Sequence, residues 1–233
     1  MSASTSYEIQ GQTVTVPAVV RDASSGTAMY MVDAAGAQKL VPDAFDVVEA
    51  TPGLTQLTIV IVDYRDNDLG DYDEVGIVFF VRQAGKPDTE VGSYIYKLPV
   101  NQSFTCEAGY KIWGFPKTVE EIQFDYADTS ATCTLTMGGK HVLTLTVPRG
   151  GDGETADSAA TGYTLIEGVP HHNEFVRGGT GEQTIPGGKG VALELGNHEI
   201  ANQLRDLGLE TATPILSAWT EHMRGSFGPS QKL

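Results

Sequence analysis

Apolar residues in this chain recur far more often with the two-residue period of a strand than with the 3.6-residue period of a helix. Residues 13–16 alternate, while residues 57–64 and 75–82 are continuous β-branched and aromatic runs. Such runs suit strands buried on both faces. Residues 93–98 alternate aromatic and polar side chains. Three successive segments then set Ile122, Phe124 and Tyr126, Cys133, Leu135 and Met137, and Leu143, Leu145 and Val147 at every second position. Their separators, Asp128-Thr129-Ser130 and Gly138-Gly139, have turn composition and predict a β-meander. Helical signals are few. Residues 34–40 can form a short helix capped by Asp33 and stopped before Pro42. Residues 199–209 carry Ile200, Leu204 and Leu207 on one face. A last helical turn is expected at residues 219–223.

Residues 149–190 are rich in glycine and are expected to be long hairpin loops. Residues 163–166 and 191–195 read as further strands of the same sheet. Many antiparallel strands with few helices predict an α+β, mostly antiparallel β fold, a barrel or two packed sheets around a central cavity. The expectation is a single domain over residues 1–233.

Charge narrows the partners. A formal net charge of -15 repels phosphates, which argues against nucleic acid or an anionic membrane surface. No apolar run approaches the ~20 residues of a membrane span. The first residues lack the basic and apolar regions of a signal peptide, so the expected compartment is cytoplasmic and Cys106 and Cys133 are expected to be reduced.

The candidate chemistry centres on Lys117, which follows Ile112, Trp113, Phe115 and Pro116. An ammonium held against an apolar, aromatic surface is poorly hydrated, so its pKa is expected to fall. A neutral amine can attack a carbonyl and form a Schiff base. The plainer alternative is a strand-end lysine whose stem lies on an aromatic while its head reaches water. Upstream, Glu74 stands where an acidic loop meets an apolar strand, a position from which a carboxylate can orient substrate or relay a proton. Asp63 and Arg65, at the end of the 57–64 run, are further candidate polar groups, with a plain ion pair as the alternative. Leu98 and Phe79 are candidate apolar walls of a pocket.

Together, Tyr72-x-Glu74-x-Gly76 and Gly109-x-x-x-x-Gly114-Phe115-Pro116-Lys117 resemble the acetoacetate decarboxylase family, over about residues 27–121. The resemblance implies a cone-like closed β-sheet with an interior active site and homo-oligomeric assembly. It also implies a Schiff base on Lys117 faced by Glu74. Three departures stand out: Thr118 replaces a second lysine, Phe115 replaces a tyrosine, and the family's N-terminal arginine aligns with Ser24. Arg21 can take that arginine's place only with a small shift. The last departure weakens the match to acetoacetate and leaves the Schiff-base chemistry intact.

Three functions follow: decarboxylation of a small β-keto acid, an aldolase-dehydratase reaction of pyruvate with an aldehyde, and ligand binding by a non-catalytic barrel. No cofactor or metal is expected, because an iminium is itself the electron sink. His171, His172 and Glu174 lack a third ligand at zinc spacing. Gly187-Gly188-Lys189-Gly190 lacks the frame of a phosphate loop, and Ser226 and Ser230 lack that of a hydrolase nucleophile. Residues 219–229, rich in functional side chains, can cap a cavity or form a subunit contact.

Overall fold

The computed structural model describes residues 5–233. A hairpin of β1 (Thr5–Ile9) and β2 (Gln12–Val16) leads into β3 (Ala18–Asp33) and the short helix α1 (Ala34–Gln38). Asp33 caps α1 by accepting a hydrogen bond from the Gly36 amide at 2.6 Å. Two short strands, β4 (Phe45–Val47) and β5 (Glu49–Thr51), precede β6 (Leu54–Asn67), β7 (Tyr72–Gln83) and β8 (Gly92–Val100). Helix α2 (Ser103–Ala108) continues into a wide π-helical turn at Gly109–Trp113, and then β9 (Lys117–Val119). The predicted meander follows as β10 (Glu121–Tyr126), β11 (Ser130–Met137) and β12 (Lys140–Pro148). Next come β13 (Gly153–Ile166), β14 (Val169–Pro186), β15 (Ala192–Leu195) and helix α3 (Glu199–Asp206). The last elements are a 3-10 turn at Leu209–Thr211, β16 (Pro214–Phe227) and β17 (Gln231–Lys232).

Seven strands close a barrel in the order β7-β6-β3-β16-β14-β13-β8, with β8 returning to β7. Each contact is antiparallel except β13 to β8, a short parallel seam at Gly162–Ser93 and Tyr163–Tyr94. The fold is therefore mostly β with few short helices, as the periodicity predicts. A four-stranded sheet, β10-β11-β12-β15, packs on the outside of the barrel. Between the layers, Ile59, Ile61, Ile77, Phe79, Val81 and Trp219 of the barrel meet Leu135, Leu143 and Leu145 of the outer sheet and Leu204 of α3. Each such side chain contributes ~1.5–3 kcal/mol by leaving water. A second cluster closes one barrel end, where Ile9, Val14 and Val16 of the hairpin pack with Ile112, Trp113, Phe115 and Leu98.

Two expectations are corrected here. Residues 219–223 form no helical turn; they lie in β16, which pairs with β3 on one side and β14 on the other. The glycine-rich residues 149–190 contain two of the longest strands, β13 and β14, rather than mainly loops. Their glycines permit close approach of neighbouring strands: a Cβ on Gly179 would stand 2.5 Å from Thr220 Cγ2. Both cysteines are free, Cys133 buried and Cys106 partly so. Among the described residues, no helix is long and apolar enough to cross a membrane.

Candidate active site

The local sequence explains how Lys117 is held. Gln102 caps α2 through a 2.6 Å hydrogen bond from the Thr105 amide. The π-helical turn then ends at Gly114 in the left-handed region, φ +70°, where a side chain would also collide with the Leu165 carbonyl. Trp113 and Phe115 stack at 5.7 Å, and the Trp113 indole N–H donates to the Gly228 carbonyl at 2.7 Å. Pro116 follows, and β9 runs parallel to β8 with Lys117 opposite Leu98. Gly109 lies directly against the lysine stem; a Cβ there would stand 2.7 Å from Lys117 Cδ. The two glycines of the motif thus give the lysine its channel and the chain its reversal.

Lys117 is buried, with only 3% of its side chain exposed, and its Nζ lies 2.9 Å from Glu74 Oε2. It also donates to Thr105 Oγ1 at 2.9 Å and approaches the Tyr72 hydroxyl at 3.5 Å. The Tyr64 hydroxyl donates to Glu74 Oε1 at 3.3 Å, and its ring stacks on Tyr72 at 4.5 Å. The expected fall in the lysine pKa is not found. Burial pulls it down, but the Glu74 carboxylate and the Tyr72 hydroxyl outweigh that pull and raise it. Burial pushes both tyrosine hydroxyls up and Glu74 adds to the effect, while the Lys117 ammonium opposes it at Tyr72 without reversing it. The resting site therefore holds the Lys117 ammonium against Glu74, flanked by two protonated phenols.

Beside the pair, inside the barrel, lies a cavity of about 380 Å3. Glu74, Leu98 and Phe115 line it, whereas Lys117 lies one side chain behind its surface. Three candidates are elsewhere. Arg21 is half-exposed and held by Asp66 and Asp68 at 2.7 Å, outside the cavity wall. Phe79 lies five residues from Glu74, so strand alternation sends it to the packed outer face; Phe80 lines the cavity instead. Asp63 also faces outward, accepting from the Tyr126 hydroxyl at 2.7 Å with Arg65 at 3.7 Å.

Two arginines line the cavity: Arg224, which is paired with Asp157 at 3.0 Å, and Arg177, a cation that sequence reasoning missed. It donates to Thr220 Oγ1 at 3.1 Å and, among the described residues, forms no ion pair with a carboxylate. Burial lowers its pKa, opposed by Glu182 and Tyr64. Its backbone is opposite Gly225, but its side chain reaches Thr220, and the register runs from Thr220 through Ser25 and Val62 to Glu74. Nothing in the sequence around Arg177 signals this, since the placement arises from pairing of distant strands. Among the described residues, no group of His, Cys, Asp or Glu could hold a metal ion.

A sequence model of the family described as Acetoacetate decarboxylase (ADC) matches residues 4–225. The chain belongs to the acetoacetate decarboxylase family. One relative, an acetoacetate decarboxylase of Acidiphilium cryptum, is 28% identical over 124 residues, which are 51% of this chain and 45% of that protein. The aligned stretch thus spans less than half of the relative's length. Among solved structures, the acetoacetate decarboxylase of Legionella pneumophila superposes with a TM-score of 0.71 at 17% identity, covering 93% of this chain and 87% of that one. The enduracididine biosynthesis enzyme MppR, complexed with the condensation product of pyruvate and imidazole 4-carboxaldehyde, gives a TM-score of 0.65 at 13% identity. That match covers 100% of this chain and 97% of that one. At these identities the structures share the acetoacetate decarboxylase fold, with the family's members acting as lyases.

Proposed function

We propose that the protein is a Schiff-base lyase that decarboxylates a β-keto acid on Lys117. The observation that carries this reading is the buried Lys117–Glu74 pair at the wall of an apolar cavity. A charged pair is stable there only while water or hydrogen bonds reach it. An apolar substrate filling the cavity excludes water and favours the neutral form of the pair, with the proton moved from Nζ to Oε2 across 2.9 Å. A rotamer change of Glu74 then opens the amine to the cavity.

The neutral Nζ attacks the keto carbon, and the Glu74 carboxylic acid protonates the carbinolamine oxygen, which leaves as water. The cationic iminium accepts the electron pair of the breaking carbon–carboxylate bond, giving carbon dioxide and an enamine. The enamine carbon takes a proton delivered from solvent, and water hydrolyses the iminium to free Lys117 and a methyl ketone. Overall, one oxo-acid anion and one proton become one ketone and carbon dioxide. Arg177 holds the carboxylate before it departs, the role expected of Arg21. Arg177→Met should raise KM between ~10- and 100-fold with a smaller change in kcat, as removal of a hydrogen bond to a charged group predicts.

Borohydride reduction during turnover, followed by intact-mass and peptide analysis, tests the central claim. A substrate-sized adduct on Lys117 is the expected result. If a broad set of oxo acids leaves Lys117 unlabelled in folded protein, the reading falls and a ligand-binding barrel takes its place. A second reading, pyruvate condensing with an aldehyde on the same lysine, is favoured by the likeness to MppR and its bound condensation product. Carbon dioxide release against carbon–carbon bond formation separates the two. We extend the first reading to a cytoplasmic homo-oligomer, which fractionation and light scattering check.

A further inference from the structure

The cavity is too large and too polar at its far end for a four-carbon acid. An apolar protein cavity of about 150 Å3 accommodates benzene, a ligand with nearly as many heavy atoms as acetoacetate. The cavity here is about 380 Å3. Its middle is lined by Met29, Val60, Val78, Ile95 and Val176. Six residues of β7 separate Glu74 from Phe80 at the other end, roughly 20 Å along the strand.

At that far end stands Asn173, opposite Gly162, which is itself opposite Ser93; all three line the cavity. Asn173 is 2% exposed, and neither its amide nitrogen nor its amide oxygen has a hydrogen-bond partner among the described residues. The Thr58 hydroxyl, also lining the cavity and buried, is likewise unpartnered. A buried, unpaired amide is destabilising, so its retention in an apolar wall points to a ligand group that satisfies it. Along β14, Arg177 follows Asn173 by four residues on the same face, roughly 13 Å away along the strand. The two polar ends are thus joined by an apolar passage.

We propose that the substrate is an extended 3-oxo acid whose apolar chain runs through the barrel and ends in a hydrogen-bonding group received by Asn173. This rests on the Schiff-base reading above and names the substrate class of that site. The chain supplies the apolar bulk that excludes water from the lysine-glutamate pair, which a four-carbon acid fills poorly.

The test compares 3-oxobutanoate, 3-oxohexanoate, 3-oxooctanoate, 3-oxotetradecanoate and 14-hydroxy-3-oxotetradecanoate, the last two long enough to run from Lys117 towards Asn173, with the wild-type protein, measuring kcat/KM by carbon dioxide release and trapping on Lys117 by borohydride. Each added pair of methylenes should raise kcat/KM roughly tenfold, at the usual transfer free energy per methylene. The terminal hydroxyl should raise kcat/KM, or leave it undiminished, relative to 3-oxotetradecanoate, although a purely apolar pocket would penalise it. Asn173→Leu should reverse that preference by tenfold or more, read as the ratio of the two fourteen-carbon substrates. Trapping and turnover of 3-oxobutanoate with no gain along the series would overturn the extended-substrate proposal and leave the Schiff base standing. A preference for 3-oxotetradecanoate over its hydroxylated form in the wild type would overturn the role of Asn173. Absence of any adduct on Lys117 across the whole series would instead remove the reading on which the proposal rests.

Discussion

The two faces of β7 make opposite use of the same backbone. Val75, Ile77, Phe79 and Val81 point outward into a filled layer and are entirely buried. Glu74, Gly76, Val78 and Phe80 point inward and border a cavity. Outward, each side chain finds close neighbours; inward, space and unpartnered polar atoms remain. Stability therefore resides on the odd-numbered face and chemistry on the even-numbered one, separated by the thickness of one strand. Closure into a barrel is what makes this division possible, since an open sheet of this size would have to cover both faces.

The comparison can be broken by substitutions on either side of the wall. Lys117→Ala should reduce turnover by at least ~10^4-fold, the scale seen when a covalent nucleophile is lost. Substantial residual activity in a preparation folded by circular dichroism would place the chemistry elsewhere. On the outer face, Phe79→Ala should lower stability by ~3–5 kcal/mol through transfer and cavity effects. A calorimetric scan should show Tm about 10 °C lower or more, with kcat/KM preserved well below the transition. Loss of activity without loss of stability would contradict the assignment of this face.

Finer tests concern neighbours of the pair. Gly109→Ala places a methyl 2.7 Å from Lys117 Cδ, so the stem must shift. A shift near 1 Å should lower kcat by roughly 100-fold, with a smaller change in Tm than Phe79→Ala produces. Unchanged kcat would mean that the lysine is not held by that turn. The smallest effect is expected at Asp73, opposite Asp63 on the outer face. Burial and the charges of Asp63 and Asp71 raise its pKa from 3.8 to about 6. The folded chain therefore binds this proton more tightly than the unfolded chain, and stability falls as pH rises through that interval. Asp73→Asn should raise stability by about 1 kcal/mol at pH 7.5 after allowance for solvent screening. The accompanying gain of about 2–4 °C in Tm should disappear near pH 4. An equal gain at both values would assign the effect to packing rather than charge.

Much of this was legible from the order of residues. Strand alternation located the meander, and continuous apolar runs located β6 and β7, because those patterns report burial directly. The family resemblance carried by the two motifs also set Glu74 facing Lys117, side chains that meet in space. Strand parity was available too: Phe79 and Glu74 differ by an odd number, so both could not face one cavity. Bulges blurred the rule elsewhere, as where Ile77 pairs with Lys97 but Val78 pairs with Ile95. Arg177 and Asn173 were not legible, since their place depends on β14 pairing with both β13 and β16. The direction of the lysine pKa was likewise hidden, because it turns on a contact of 2.9 Å between residues far apart in sequence.

The ring of strands also constrains how the chain can acquire its fold. The neighbour that completes β3 is β16, whose Phe227 pairs with Ala18 and whose Pro214 pairs with Tyr30. Contacts of such sequence separation form slowly, because a long loop must close before any pairing rewards it. Until β16 is synthesised, β3 and β14 each present an unpaired edge beside the apolar lining of an open sheet. Productive folding of the barrel must therefore wait for residues beyond 213, and nascent chains halted before that point should be sticky, unclosed and dependent on chaperones.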